Sequence, residues 1–218
     1  MGRARFAVLS LLAAVALLSC TREPSGYGGA GAAGPNGQYR CPMCGQRWDG
    51  YPSFREIPSQ LPAPQAEGWI DRLREVLRLE ELSKEQYVAD SRKFQVRMPY
   101  AMVIPQEDDH IAWINQLFSA YGVPSDGEVP EAERTETLEQ AYRTAMQLET
   151  DLVPKYEWLI ANANQEQTGE VLNTILYETR MHYTMFEHAL SMGRMHGGMG
   201  RGMGPGRGPG MGPGTPRP

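Results

Sequence analysis

Glu107-Asp108-Asp109-His110 sets a carboxylate and an imidazole three residues apart inside a stretch that otherwise reads as an apolar helical stripe. At about 100° per residue, Val103, Glu107, His110, Ile114, Leu117, Phe118 and Tyr121 share one face, and Asp108 and Asp109 point elsewhere. Glu107 and His110 therefore belong to the buried side of their helix. Leu138, Tyr142, Ala145, Met146, Glu149, Leu152, Val153, Tyr156 and Ile160 form a second stripe, with Glu149 at its middle. Val171, Leu172, Ile175, Glu178, His182, Phe186 and Ala189 form a third, with another acid and another imidazole. Buried acids and histidines cost several kcal/mol unless they are paired or bound to a metal. Three helices that each turn such groups inward point to a polar site at the centre of a helix bundle.

Two readings of that site stay open. In one, Glu107, His110, Glu149, Glu178 and His182 ligate a transition ion, and the carboxylate and imidazole donors suit iron first, with manganese, zinc or copper as alternatives. In the other, the same residues form a buried network of Glu–His ion pairs without a metal.

The chain has 218 residues, and its two ends lack the composition of a packed domain. Met1-Gly2-Arg3-Ala4-Arg5 precedes an apolar run from Phe6 to Leu18, too short to span a bilayer and suited to a secretory signal. Residues 20–40 are rich in Gly, Ala, Pro and Ser, as in a flexible tether. Residues 41–66 carry Cys41 and Cys44. The bundle is expected over residues 67–190, and residues 191–218 form a Gly-, Met-, Arg- and Pro-rich tail expected to be disordered. The formal net charge is −5, and setting aside two arginines in the signal and four in the tail leaves the middle of the chain at −11. That tail can fold back on the acidic domain or meet an anionic membrane surface. Nucleic acid is not an expected partner, because the basic residues lie in a tail without interleaved aromatics.

Within the domain the periodicity is helical. The first helix runs from Glu67 to about Arg97, with Trp69, Leu73, Val76, Leu79, Tyr87 and Phe94 on one side. A staple and capping-box pattern at Leu82-Ser83-Lys84-Glu85-Gln86 predicts a break. Pro99 opens the second helix and Gly122-Val123-Pro124 ends it; the third covers about 136–162 and the fourth about 166–192. The fold class is all-α, a four-helix bundle with one Pro- and acid-rich crossing loop, and no segment has the period of a strand.

Leu17-Leu18-Ser19-Cys20 resembles the bacterial lipobox. The resemblance implies removal of residues 1–19, lipid attachment at Cys20, and a place in the cell envelope, at the periplasmic face of the outer membrane or the cell surface. Tyr87-Val88-Ala89, Arg97-Met98-Pro99-Tyr100, Ile104-Pro105-Gln106-Glu107-Asp108-Asp109-His110-Ile111, Tyr121-Gly122, Leu148 to Glu157 and His182 to Phe186 together resemble a ferritin-like family of small, often exported four-helix proteins related to rubrerythrin. That resemblance covers about residues 80–190. It implies a carboxylate-bridged metal pair at Glu107, His110, Glu149 and His182, with oxygen or peroxide chemistry, and is compatible with a homodimer. This chain departs from the family pattern twice. Gln86 stands where a helix-1 glutamate is usual, with Glu85 pointing outward and Asp90 as a substitute, and Glu178 precedes His182 by four residues rather than three. Both departures favour a single-metal or degenerate site.

Cys41-Pro42-Met43-Cys44 has the spacing of half a zinc knuckle or of a small disulfide loop, and Cys20 is the only other cysteine. Met192, Met195, Met199, Met203 and Met211 with His196 make the tail a thioether-rich strand of a kind that suits Cu(I). The alternative function is therefore a metal-scavenging or sensing lipoprotein that uses Cys41, Cys44 and the tail for copper or zinc. The mature chain should begin at a diacylglycerol-modified Cys20. Mass spectrometry of the membrane fraction checks this, and a water-soluble chain with an unmodified N-terminus would refute it.

Overall fold

Apolar residues recurring three and four apart build four helices, α1 (Trp69–Phe94), α2 (Tyr100–Ala120), α3 (Leu138–Ala161) and α4 (Glu166–Gly197). The structure is a computed structural model and describes residues 39–40, 47–48, 52, 54, 56–128 and 131–197. Cys20, Cys41, Cys44 and the tail beyond residue 197 lie outside the described residues, as does the signal segment. Among the described residues no helix is long and apolar enough to cross a membrane.

Helix ends follow local chemistry. Thr137 caps α3 by accepting the Gln140 amide at 3.1 Å. Gly122 takes φ +68°, where a side chain would be strained, and lets the amides of Gly122 and Val123 close back on Ser119 and Phe118 at 3.0 and 3.1 Å. Two features differ from the expectations above. The break in the first helix does not occur: Ser83 and Gln86 are buried, and the tertiary partners of that face hold α1 in one piece across the capping-box pattern. Two strands also form, β1 (Tyr39–Arg40) and β2 (Arg47–Trp48), paired antiparallel with Tyr39 opposite Trp48. Strands of two residues are too short to show an alternating pattern. α4 runs past Ser191, where the change in composition had suggested the start of the tail.

Each helix packs on two neighbours: α1 on α2 and α3, and α4 on α2 and α3. α2 and α3, consecutive in the chain, are thus diagonal partners, and the connection between them crosses the end of the bundle. Gln86 and Asp90 hold this crossing. The Gln86 amide donates to Glu133 O at 3.0 Å and to Asp90 Oδ2 at 2.9 Å, and its oxygen accepts the Glu133 amide at 2.6 Å. Thr135 donates to Asp90, and Lys93 donates to the Thr135 carbonyl. Asp90 therefore ties down the crossover and does not stand in for a helix-1 ligand.

The interior is layered. At one end Trp69, Leu73, Leu117, Phe118, Leu159 and Leu172 belong to one apolar core, and at the other Tyr87, Tyr100, Tyr142, Ala145, Met185 and Phe186 belong to a second. Between them the buried residues are mostly polar on all four helices.

Asp90→Ala strands Thr135 and Gln86 in the interior, so it should cost about 1–3 kcal/mol of unfolding free energy in urea. Glu85→Ala, at an exposed position of the same helix, should stay within about 0.5 kcal/mol of the parent.

Candidate metal centre

Six ionisable side chains fill the middle layer. α1 contributes Glu80, α2 Glu107 and His110, α3 Glu149, and α4 Glu178 and His182; none is more than 3% exposed. The ligand atoms of five of them fall into two triads, Glu80–Glu107–His110 and Glu107–Glu149–His182, with the atoms of each triad within 4.8 Å of one another. Glu107 belongs to both.

The distances place the imidazoles between the carboxylates. His110 Nδ1 lies 3.1 Å from Glu80 and 3.6 Å from Glu107; His182 Nδ1 lies 3.0 Å from Glu107 and 3.4 Å from Glu149. The two rings stack with centroids 5.5 Å apart and planes 25° from parallel. Proximity here is not alignment, however. Both oxygens of Glu107, Glu149 Oε2 and His182 Nδ1 have no hydrogen-bond partner, although each is buried. Unpaired buried polar atoms cost about 1–3 kcal/mol each. These four atoms all belong to the Glu107–Glu149–His182 triad.

The outer atoms of the carboxylates are satisfied reciprocally. Tyr87 on α1 donates to Glu149 on α3 at 2.5 Å, and Tyr156 on α3 donates to Glu80 on α1. In each helix the tyrosine follows the glutamate by seven residues, two helical turns on the same face. Burial first, then the neighbouring carboxylates, pushes both phenols well above their ordinary value, so they remain protonated donors.

The structure brings together Glu107, His110, Glu149 and His182. Glu178 sits apart from both triads and meets the outer nitrogen of His110 at 2.7 Å. Gln86 and Asp90 are elsewhere. Glu80 is not a residue that the apolar stripes single out, and it brings a helix-1 carboxylate to the layer although Gln86 does not. The signal for it was present: Glu80 follows Val76 by four residues and precedes Tyr87 by seven, as Glu149 precedes Tyr156.

Charge is balanced inside the layer. Burial opposes a charged His110, yet Glu80 and Glu107 prevail and push it up to about 9; His182 rises well above its ordinary value for the same reason, through Glu149 and Glu107. Glu80 is raised, by burial first and then by the charge of Glu107. Burial and Glu149 push Glu107 up as well, but the neighbouring Glu80, His110 and His182 outweigh them and hold it below the usual carboxylate range. Burial pushes Glu178 up to about 7 against the opposing pull of His182.

No protein-family model matches this chain, and no curated protein does. Among solved structures, the chain is similar to that of a conserved hypothetical protein, rv2844, from Mycobacterium tuberculosis. The identity is 20% and the TM-score 0.48, over 58% of this chain and 94% of that one.

For the metal-free protein the raised values give a definite pH dependence. Folding favours the protonated form of a group whose folded value lies above its unfolded one. The stability contributed by Glu178 is thus complete below 4.5 and lost as pH rises through about 7, and that from His110 is complete below 6.5 and lost through about 9. Urea midpoints measured in chelator should therefore fall from pH 6 to pH 9.5. A flat profile over that range would contradict the buried imidazolium.

Proposed function

We propose that this chain is a lipid-anchored, extracytoplasmic protein of the ferritin-like type whose bundle binds two first-row transition ions, iron foremost, with manganese, zinc or copper as alternatives. The observation that carries this reading is the pair of buried triads sharing Glu107, with atoms of Glu107, Glu149 and His182 left without a hydrogen-bond partner in one of them. Such a donor set, carboxylate-rich with one imidazole for each ion, suits iron or manganese. It also shares most of the arrangement of di-metal carboxylate bundles, a glutamate from each of two helices plus Glu-x-x-His from each of the other two, with one such Glu-x-x-His, Glu107–His110, present here. On α4, Thr179 occupies the place of the second such glutamate, three residues before His182, so Glu107 would be the one carboxylate common to both ion positions.

A bound ion pair would supply Lewis acidity and, for iron or manganese, redox capacity toward oxygen or peroxide. The residues of the chain do the remaining work. Tyr87 and Tyr156 fix the orientation of Glu149 and Glu80, the two apolar cores exclude water from the layer, and Glu107 carries the negative charge between the positions. The envelope location is supported by the lipobox-like Leu17-Leu18-Ser19-Cys20.

Metal analysis of the mature chain in detergent should give two ions per chain after iron or manganese supplementation. Glu107→Ala should lose both, and Glu149→Ala should keep the one held by Glu80, Glu107 and His110. Protein that takes up no iron, manganese, zinc or copper, and whose melting temperature is unchanged by His110→Ala, would instead be a metal-free bundle with an internal ion-pair network.

A further inference from the structure

The two triads are near copies in their inner atoms and differ in what stands behind each imidazole. Both histidines turn Nδ1 inward and Nε2 outward. Nε2 of His110 meets the carboxylate of Glu178 at 2.7 Å, whereas Nε2 of His182 meets the amide oxygen of Gln106 at 3.2 Å. These two partners occupy equivalent places. Gln106 precedes His110 by four residues and serves His182 across the α2–α4 interface; Glu178 precedes His182 by four residues and serves His110. A single position of a two-fold arrangement therefore holds an acid on one side and its neutral amide on the other.

That difference has chemical consequences. A carboxylate that accepts the outer N–H of a ligating imidazole fixes the ring and raises the basicity of the nitrogen facing the ion, and a neutral amide at a longer distance does both less well. We propose that Glu178 and Gln106 are positioning residues that rank the two ion positions, so that Glu80–Glu107–His110 fills first and Glu107–Glu149–His182 second. This inference rests on the metal-binding reading above and adds an order of occupancy to it. It also gives Glu178 a role distinct from that of a ligand.

Manganese(II) titration of the full mature chain at pH 8, followed by electron paramagnetic resonance and by chelator competition, tests the ranking without reference to any activity. In the parent, the first equivalent should give the six-line spectrum of an isolated ion, and the second should broaden it by spin coupling. Glu178→Gln should weaken the first step about 10–100-fold, merging the two steps while saturation stays at two ions. Gln106→Glu should tighten the second step, and it supplies an independent readout if the first variant is poorly folded. A first step unchanged by Glu178→Gln would overturn the proposal. Saturation of that variant at one ion would also overturn it, by making Glu178 a direct ligand. Parent protein that takes up no manganese, iron, zinc or copper would remove the metal-binding reading itself, whereas two ions of equal affinity in the parent and both variants would remove the ranking alone.

Discussion

Everything in this bundle is arranged around the burial of charged groups at mid-height, a placement that water would make cheap and an apolar interior makes expensive. Glu80, Glu107, His110, Glu149 and His182 are at most 1% exposed, so no helix can slide by a turn without carrying a charge into one of the apolar cores. This constraint sets the register of all four helices more strongly than the apolar layers do, because Leu, Ile and Phe tolerate one another's places at modest cost and an unpaired carboxylate does not. The reciprocal tyrosines express the same constraint between α1 and α3. Each helix lends a phenol to the other's glutamate, so neither acid can be satisfied unless both helices are at the correct height.

The crossing connection belongs to the same logic. With α1–α2 and α3–α4 as adjacent pairs, the chain must pass diagonally from α2 to α3, and a polar segment of that length would stay loose without an anchor. Gln86 and Asp90 provide it from the buried side of α1, through backbone groups of Glu133 and the hydroxyl of Thr135. The second apolar core, with Tyr87, Tyr100 and Tyr142, lies toward the same end of α1.

The helices and most of the centre were legible in the sequence because the stripes on α2, α3 and α4 are strongly apolar, and an acid or histidine inside them stands out. α1 was less transparent. It is rich in Arg and Glu, and Glu80 beside Glu81 looks like part of a solvated face unless the stripe is traced through Val76 and Tyr87 rather than Leu79. The repeated seven-residue interval between glutamate and tyrosine on α1 and α3 is the pattern that identifies it. Gln86 and Asp90 could not be assigned from local spacing, because their partners lie more than forty residues away in the crossover. The continuity of α1 was hidden for a similar reason: a capping box is a local preference, and the packing of Ser83 and Gln86 overrides it.

The two halves match in their inner residues and diverge at Glu107/Thr179 and Gln106/Glu178. In the metal-free protein a second acid at Thr179 would add a carboxylate to a layer whose described residues offer two imidazoles as balancing cations. The hydroxyl of Thr179 instead returns to the Ile175 carbonyl of its own helix at 3.0 Å, so the position is filled without a charge. The remaining acid, Glu178, is displaced by one residue to the far side of His110, where burial raises it and proximity to an imidazole keeps it paired. In the metal-free layer three carboxylates and two imidazoles thus face inward, and the fourth acid stands behind a ring rather than beside its neighbours.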